Sequence, residues 1–294
     1  MTTAKAEKVS LGQRIENLRQ RMYLAHVGSK IMRGLVYSAA TITLGVLIAI
    51  IIYIVVKGIP NLKPELFSLK YTSENSSMMP AIINTLIVTA LALLMAVPTG
   101  IFSAIYLVEY AKKGNKLVNL VRITTETLQG IPSIVYGLFG YLFLVIRLKD
   151  YSIFAGSVTV AIMILPLIMR TSEEALMAVP DMYREGSFGL GAGKLRTVFT
   201  VVLPSAVPGI LSGVVLGIGR IVGETAALMY SAGTVAKVPS SIFRSGRTLS
   251  VHMWCLYSEG LHTDASYATA LVLLVLVVGL NALSEAIAKK VGNK

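Results

Sequence analysis

The stretch Arg170–Pro204, RTSEEALMAVPDMYREGSFGLGAGKLRTVFTVVLP, decides how the chain is read. It is the longest polar interruption in the second half of an apolar sequence. Apolar runs flank it, Tyr151 to Met169 before and Ala206 to Ile221 after. Each approaches the roughly 20 residues that a helix needs to cross a bilayer. The stretch is therefore no soluble domain but a loop with helical content. Glu173, Glu174, Asp181, Arg184, Glu185, Lys194 and Arg196 make it water-facing, and Ala175, Leu176, Met177, Phe188 and Leu190 give it an apolar side. A mixed loop held between two membrane helices is suited to docking on a partner.

Composition points the same way. Apolar residues make up 54% and charged residues 14% of the 294, with a mean hydropathy of +0.71. This is a polytopic membrane protein with the lipid bilayer as its solvent. The net charge of +12 would suit nucleic acid, but the basic residues cluster at helix ends, as membrane orientation requires, so no nucleic-acid partner is expected. The sequence predicts an all-α fold with six spans, roughly 34–56, 80–107, 128–146, 152–169, 204–229 and 267–287. The first apolar run has no small-residue cleavage site after it and reads as a retained helix. Residues 1–33 form a basic segment outside the membrane-spanning region 34–294. Leu11, Ile15, Leu18 and Met22 recur there at helical spacing. That pattern suits either a surface-lying amphipathic helix or a solvated tail that fixes orientation.

Six crossings put both termini on one side. Of the 27 Lys and Arg, 18 fall on the face bearing residues 1–33, 108–126, 170–203 and 288–294, and 8 on the other; Arg220 remains within the membrane. The richer face is expected to be cytoplasmic. Loop 170–203 is then cytoplasmic and loop 230–266 external. Cys255 is the single cysteine, so no intrachain disulfide is expected. His26, His252 and His262 do not cluster with other ligands, so no metal site is expected. Gly193-Lys194 fails as a phosphate loop, because Leu195 stands where Ser or Thr is needed and Phe188 where the first Gly is needed.

Glu185-Gly186-Ser187, then Gly191, then Val201-Val202-Leu203-Pro204 resembles the E-A-A…G…I-x-L-P motif of bacterial ABC-importer permeases, with matching spacing. Small residues replace the alanines and a branched residue replaces isoleucine. Further segments resemble phosphate permeases. These are Gln129–Phe139 (QGIPSIVYGLF), Pro80-Ala81-Ile82 with Asn84-Thr85-Leu86, Leu165–Thr171 with Glu174-Ala175-Leu176, Arg220–Ala226 (RIVGETA), and Thr248–Val251 with Glu259-Gly260. The chain from about Pro80 onward is thus similar to permeases of the phosphate-specific transport system, PstA type.

The resemblance implies a type I ABC-importer permease fold in a bacterial cell membrane, with both termini cytoplasmic. It implies that Glu185, Gly186, Ser187, Gly191, Leu203 and Pro204 form a coupling helix in a groove of a separate ATPase. The chain would then be no enzyme and bind no cofactor itself, ATP-Mg being used by the ATPase. The implied partners are a PstC-type second permease, an ATPase homodimer of PstB type, a PstS-type external phosphate-binding protein and inorganic phosphate.

The fifth span carries the candidate transport chemistry. Gly209, Gly213 and Gly217 recur every four residues, and Arg220 and Glu224 fall within the same arc of about 80° at 100° per residue. Small residues at that spacing allow close helix approach. The face is expected to look toward the partner permease. A charge at mid-depth costs at least about 3 kcal/mol facing lipid, so Arg220 and Glu224 are expected to border the passage. Arg220 offers a planar donor fork to an oxyanion, and Glu224, one turn on, can pair with it or accept the proton that phosphate keeps. The alternative is a fixed ion pair that only holds the fold. Thr225 follows on the same segment. Arg170 is either an exit receptor or an interface anchor. Ser133 and the Gly130–Pro132 break either line a cavity or only kink the helix. Loop 230–266, with Tyr230, Trp254 and Tyr257, is either a docking surface for the binding protein or a plug. Other readings are a PstC-type subunit, a sulfate or molybdate permease, or a membrane scaffold that binds the ATPase without transport.

Overall fold

The structure, a computed structural model, describes residue 30 and residues 32–112, 114–260 and 262–292. Residues Leu11 to Met22, read above as a possible amphipathic helix, lie outside these. The fold is all-helical. Among the described residues five helices are long and apolar enough to cross a membrane, and a bent pair brings the number to six if it is counted as one span.

The helices are α1 (Met32–Asn61), α2 (Met79–Tyr110), α3 (Lys116–Gln129), α4 (Ser133–Leu148), α5 (Ile153–Met177), α6 (Asp181–Gly189), α7 (Lys194–Val222), α8 (Ala226–Ser231), α9 (Leu249–Glu259) and α10 (Thr263–Gly292). The chain divides into two units, one up to Val56 and one from Lys57 onward. The first is apolar helix whose side chains, such as Leu35, Ile42 and Leu47, are exposed.

The second unit is built on α2 and α5. Ala92, Ala96, Gly100 and Ala104 lie four residues apart on α2 and are all buried. This seam of small residues lets α5 come close. A Cβ at Gly100 would lie 2.9 Å from Ile168 Cγ2. Val88, Ala92, Ala96, Val160, Ile164 and Ile168 belong to one buried cluster. A second cluster toward the 178–193 connector joins Ala104, Ile105, Leu176, Val179, Val198 and Val202.

Three expected spans are corrected. The span expected over 128–146 is two helices, α3 and α4, turned by 101°. Pro132 has no N–H to donate and disfavours helical geometry in its predecessor. The span expected to stop at Met169 runs on to Met177, so the loop expected over 170–203 shrinks to 178–193. Arg170, Glu173 and Glu174 pair with charged neighbours (below), which lets the helix continue past the apolar run. The span expected over 204–229 is α7, begun at Lys194 and ended at Val222, followed by the separate short α8.

Candidate functional site

The break between α7 and α8 is Gly223-Glu224-Thr225. Gly223 ends α7, with its N–H on Gly219 O. Non-helical backbone at membrane depth is tolerated only where its polar groups find partners. Here side chains supply them. Glu224 Oε1 accepts from Ala227 N–H at 3.0 Å, and Ser250 Oγ donates to Glu224 O at 2.5 Å. Glu224 is buried, and Arg220 and Thr225 are half-buried.

The expected Arg220–Glu224 ion pair is absent. The helix ends between the two residues, so the one-turn spacing that would align them is lost, and the carboxylate turns to the α8 backbone. Among the described residues no carboxylate lies within 4.0 Å of Arg220. Arg220 is near enough to Tyr136 to act on it electrostatically.

The second break, Gly130-Ile131-Pro132, precedes Ser133, the first residue of α4. α4 packs on α8, and a Cβ at Gly137 would stand 2.8 Å from Ala227 Cα. Tyr136, one turn beyond the break, donates its hydroxyl to Leu128 O at 2.8 Å and ties the two sides together. The two interrupted helices therefore sit against each other, with Ser133, Glu224 and Thr225 at or beside the interruptions and Arg220 one turn before the second.

The glycine stripe has a different neighbour from the one expected. A Cβ at Gly209 would meet Ala175, one at Gly213 would run into Thr171, and one at Gly217 would touch Ile168. The stripe faces α5 of the same chain, not a partner permease. Periodicity identifies a close-packing face but not which helix fills it.

Arg170 lies elsewhere. It bonds Glu126 and Glu174, each at 3.0 Å. Arg122 pairs with Glu173 at 2.5 Å beside it. These charges line a cleft of about 190 Å³ and join α3 to α5. Arg170 is thus already held by two carboxylates.

The coupling residues fall on and around α6. Glu185 and Gly186 are exposed. Gly191 has φ +83°, left-handed geometry that glycine adopts freely, and it turns the chain from α6 toward α7. The Ser187 and Thr197 hydroxyls meet at 2.8 Å across that turn. Leu203 and Pro204 follow a π-helical turn, Val198–Val202, inside α7.

Sequence reasoning missed Arg184. Its guanidinium makes two bonds to Glu109, at 3.0 and 2.8 Å, and others to Val179 O (2.7 Å), Leu176 O (2.9 Å) and Asp181 (3.2 Å). Both side chains of the Arg184–Glu109 pair are nearly buried. One residue of α6 therefore grips the ends of α2 and α5. The available signal was an arginine beside the motif glutamate and a lone acid ending the second span.

Residues 96–293 match the family described as "Binding-protein-dependent transport system inner membrane component". The chain belongs to this family. It is a multi-pass inner-membrane permease component of an ABC importer, not the ATPase. The permease is 31% identical over 277 residues to the probable ABC transporter permease protein YqgI of Bacillus subtilis (strain 168), covering 87% of this chain and 94% of that one. It is 32% identical over 218 residues to the phosphate transport system permease protein PstA of Haemophilus influenzae, covering 74% and 77%. It is 36% identical over 209 residues to PstA of Mycobacterium leprae, covering 68% and 67%. Among solved structures, a bacterial alginate ABC transporter aligns with TM-score 0.66 at 16% identity, covering 88% of this chain and 95% of that one. The MetNI methionine transporter aligns at 0.57 and 21%, covering 73% and 94%. These two show the fold alone.

Proposed function

We propose that this permease is the PstA-type subunit of an ATP-driven inorganic phosphate importer and forms half of the translocation pathway. The observation that carries the reading is Arg220: a half-buried guanidinium with no carboxylate partner, one turn before a break in its helix. Such a group at membrane depth needs a negative charge, and a transported oxyanion supplies one. PstA relatives at 32–36% identity support phosphate as that oxyanion.

In this reading Arg220, Glu224, Thr225 and Ser133 border the path. Phosphate keeps a proton at neutral pH that sulfate lacks, and Glu224 accepts it. Arg170 anchors α5 to α3. The connector after α5 is cytoplasmic. There Glu185, Gly186 and Ser187 dock on the ATPase dimer, while Gly191, Leu203 and Pro204 shape the turn into α7. ATP-Mg is used by the ATPase. A second permease and an external phosphate-binding protein complete the importer, and loop 230–266 faces outward.

The test is labelled-phosphate uptake into proteoliposomes holding all subunits, with unlabelled phosphate, sulfate or molybdate as competitors. Phosphate alone should compete. Equal competition by sulfate or molybdate would contradict the assignment.

A further inference from the structure

Outside the membrane-spanning helices a buried arginine also lacks an acid. Arg247 is 4% exposed, and its Nε and Nη2 have no hydrogen-bond partner. Among the described residues no carboxylate pairs with it. Its guanidinium carbon stands 4.7 Å from the centre of the Tyr71 ring. That ring meets His252 edge-on, with centroids 6.0 Å apart. His252 is fully buried, with Nε2 3.3 Å from Ser76 O. Facing a carbonyl, Nε2 must carry the ring proton, so Nδ1 is a bare acceptor. Burial, and then the Arg247 charge, push the His252 pKa down to about 3, so the ring is neutral. Nδ1 has no partner, nor has the buried Ser76 Oγ, nor Oδ1 of Asn84, whose Nδ2 donates to Arg247 O at 3.1 Å.

The surrounding wall is built rather than loose. Ser76 is held at φ 44°, a left-handed geometry that serine seldom adopts. Asn75 Oδ1 accepts from the N–H groups of Thr72 and Ser77 at 2.9 and 3.0 Å, and Met78 N–H donates to Leu66 O at 2.7 Å. The Tyr71–Ser76 segment, Asn84 of α2 and the Arg247–His252 segment are linked through these contacts, and each brings a buried polar atom with no partner. Each such group calls for an explanation, such as a water or an ion. Water satisfies donors and acceptors but brings no charge, and a buried guanidinium without a counter-charge is costly. The Tyr71 face offsets only part of that cost.

We propose that Arg247, Ser76 and His252 form a second anion site on the face opposite the α6 connector, taking a small oxyanion that still carries a hydroxyl: the hydrogen phosphate class. Arg247 and Ser76 donate to its oxygens, and His252 Nδ1 accepts its O–H. An oxyanion without a proton sets a lone pair against Nδ1 and is disfavoured. Tyr71 is the side chain that yields on entry. The site rests on the oxyanion-importer reading and adds a second selection step to it.

The test is equilibrium binding of radiolabelled phosphate to the complex of this chain with its partner subunits, before the external binding protein is added. Arg220→Ala in this chain separates the two sites. In that background phosphate binding should persist, and Arg247→Gln should weaken it roughly tenfold or more, the effect of losing a charge-assisted hydrogen bond. His252→Phe should let sulfate compete with phosphate. Unchanged binding in an assembled Arg247→Gln complex would overturn the site. A high-resolution map of the wild-type complex in phosphate tests it without any variant: anion density beside Arg247 supports the site, and water alone overturns it. Vesicle uptake that fails for phosphate while this binding persists would instead count against the transport reading.

Discussion

Five arginines of this permease fall into two sets. Toward the α6 connector, Arg122, Arg170 and Arg184 each hold at least one carboxylate. Arg220 beside the α7 break and Arg247 beyond it hold none. The residue type is the same and the partners differ. A paired guanidinium is satisfied and joins helices. An unpaired one in a poorly hydrated place lacks a counter-charge, which in the proposed reading an anion supplies. In that reading the three paired arginines tie helices together near the connector, and Arg220 and Arg247 are where the oxyanion is met.

The contrast breaks most readily at Arg184. Arg184→Ala strands Glu109 in a nearly buried position, and breaking such a pair costs about 3–5 kcal/mol. A large fall in the chain's melting temperature, or failure to assemble with the ATPase, is expected. A wild-type melting profile would remove Arg184 from the paired set.

His252, beside unpaired Arg247, gives a pH signature. Its folded pKa, about 3, lies below the ordinary 6.5. Between those values the unfolded chain binds a proton that the folded chain refuses. The contribution is therefore intact above pH 6.5 and declines as pH falls toward 3, by up to about 1.4 kcal/mol per pH unit. His252→Phe should flatten the acid limb of stability measured from pH 6.5 to 5. The same slope in the variant would show that His252 is not buried neutral.

Gly213→Val tests what carries Arg220. The added side chain would run into Thr171 of α5, and overpacking of this kind costs about 1–3 kcal/mol. The drop should appear in thermal unfolding, and Thr171→Gly should partly restore it. If α7 faced a partner subunit there, Thr171→Gly would restore nothing. The smallest effect is expected for Arg170→Gln. Both its carboxylates are more than half exposed, and exposed pairs contribute about 0–1 kcal/mol.

Much of this was legible in the sequence. Apolar runs of bilayer length located the spans, three of them with bounds or continuity that the structure corrects, and the Glu185–Pro204 spacing singled out the connector. Pro132 announced the first break. The second was hidden, because Gly223-Glu224-Thr225 holds no proline and apolar residues continue on both sides. A hydrogen bond that satisfies it, from Ser250 Oγ to Glu224 O, comes from a segment 26 residues away. The Arg184–Glu109 grip joins residues 75 positions apart, and the Arg247 site draws on Tyr71, Ser76 and His252. Periodicity within one helix cannot report such meetings. It showed correctly that the Gly209–Gly217 face packs closely, but the partner expected from it, a second permease, is in fact α5 of the same chain.

The measurement that bears most directly on the unpaired set is labelled-phosphate uptake by the reconstituted importer with Arg220→Ala, alongside ATP hydrolysis by the same vesicles. Uptake should fall to background while the complex stays assembled and hydrolysis continues. Wild-type uptake by Arg220→Ala would mean that the guanidinium beside the broken helix never meets the substrate.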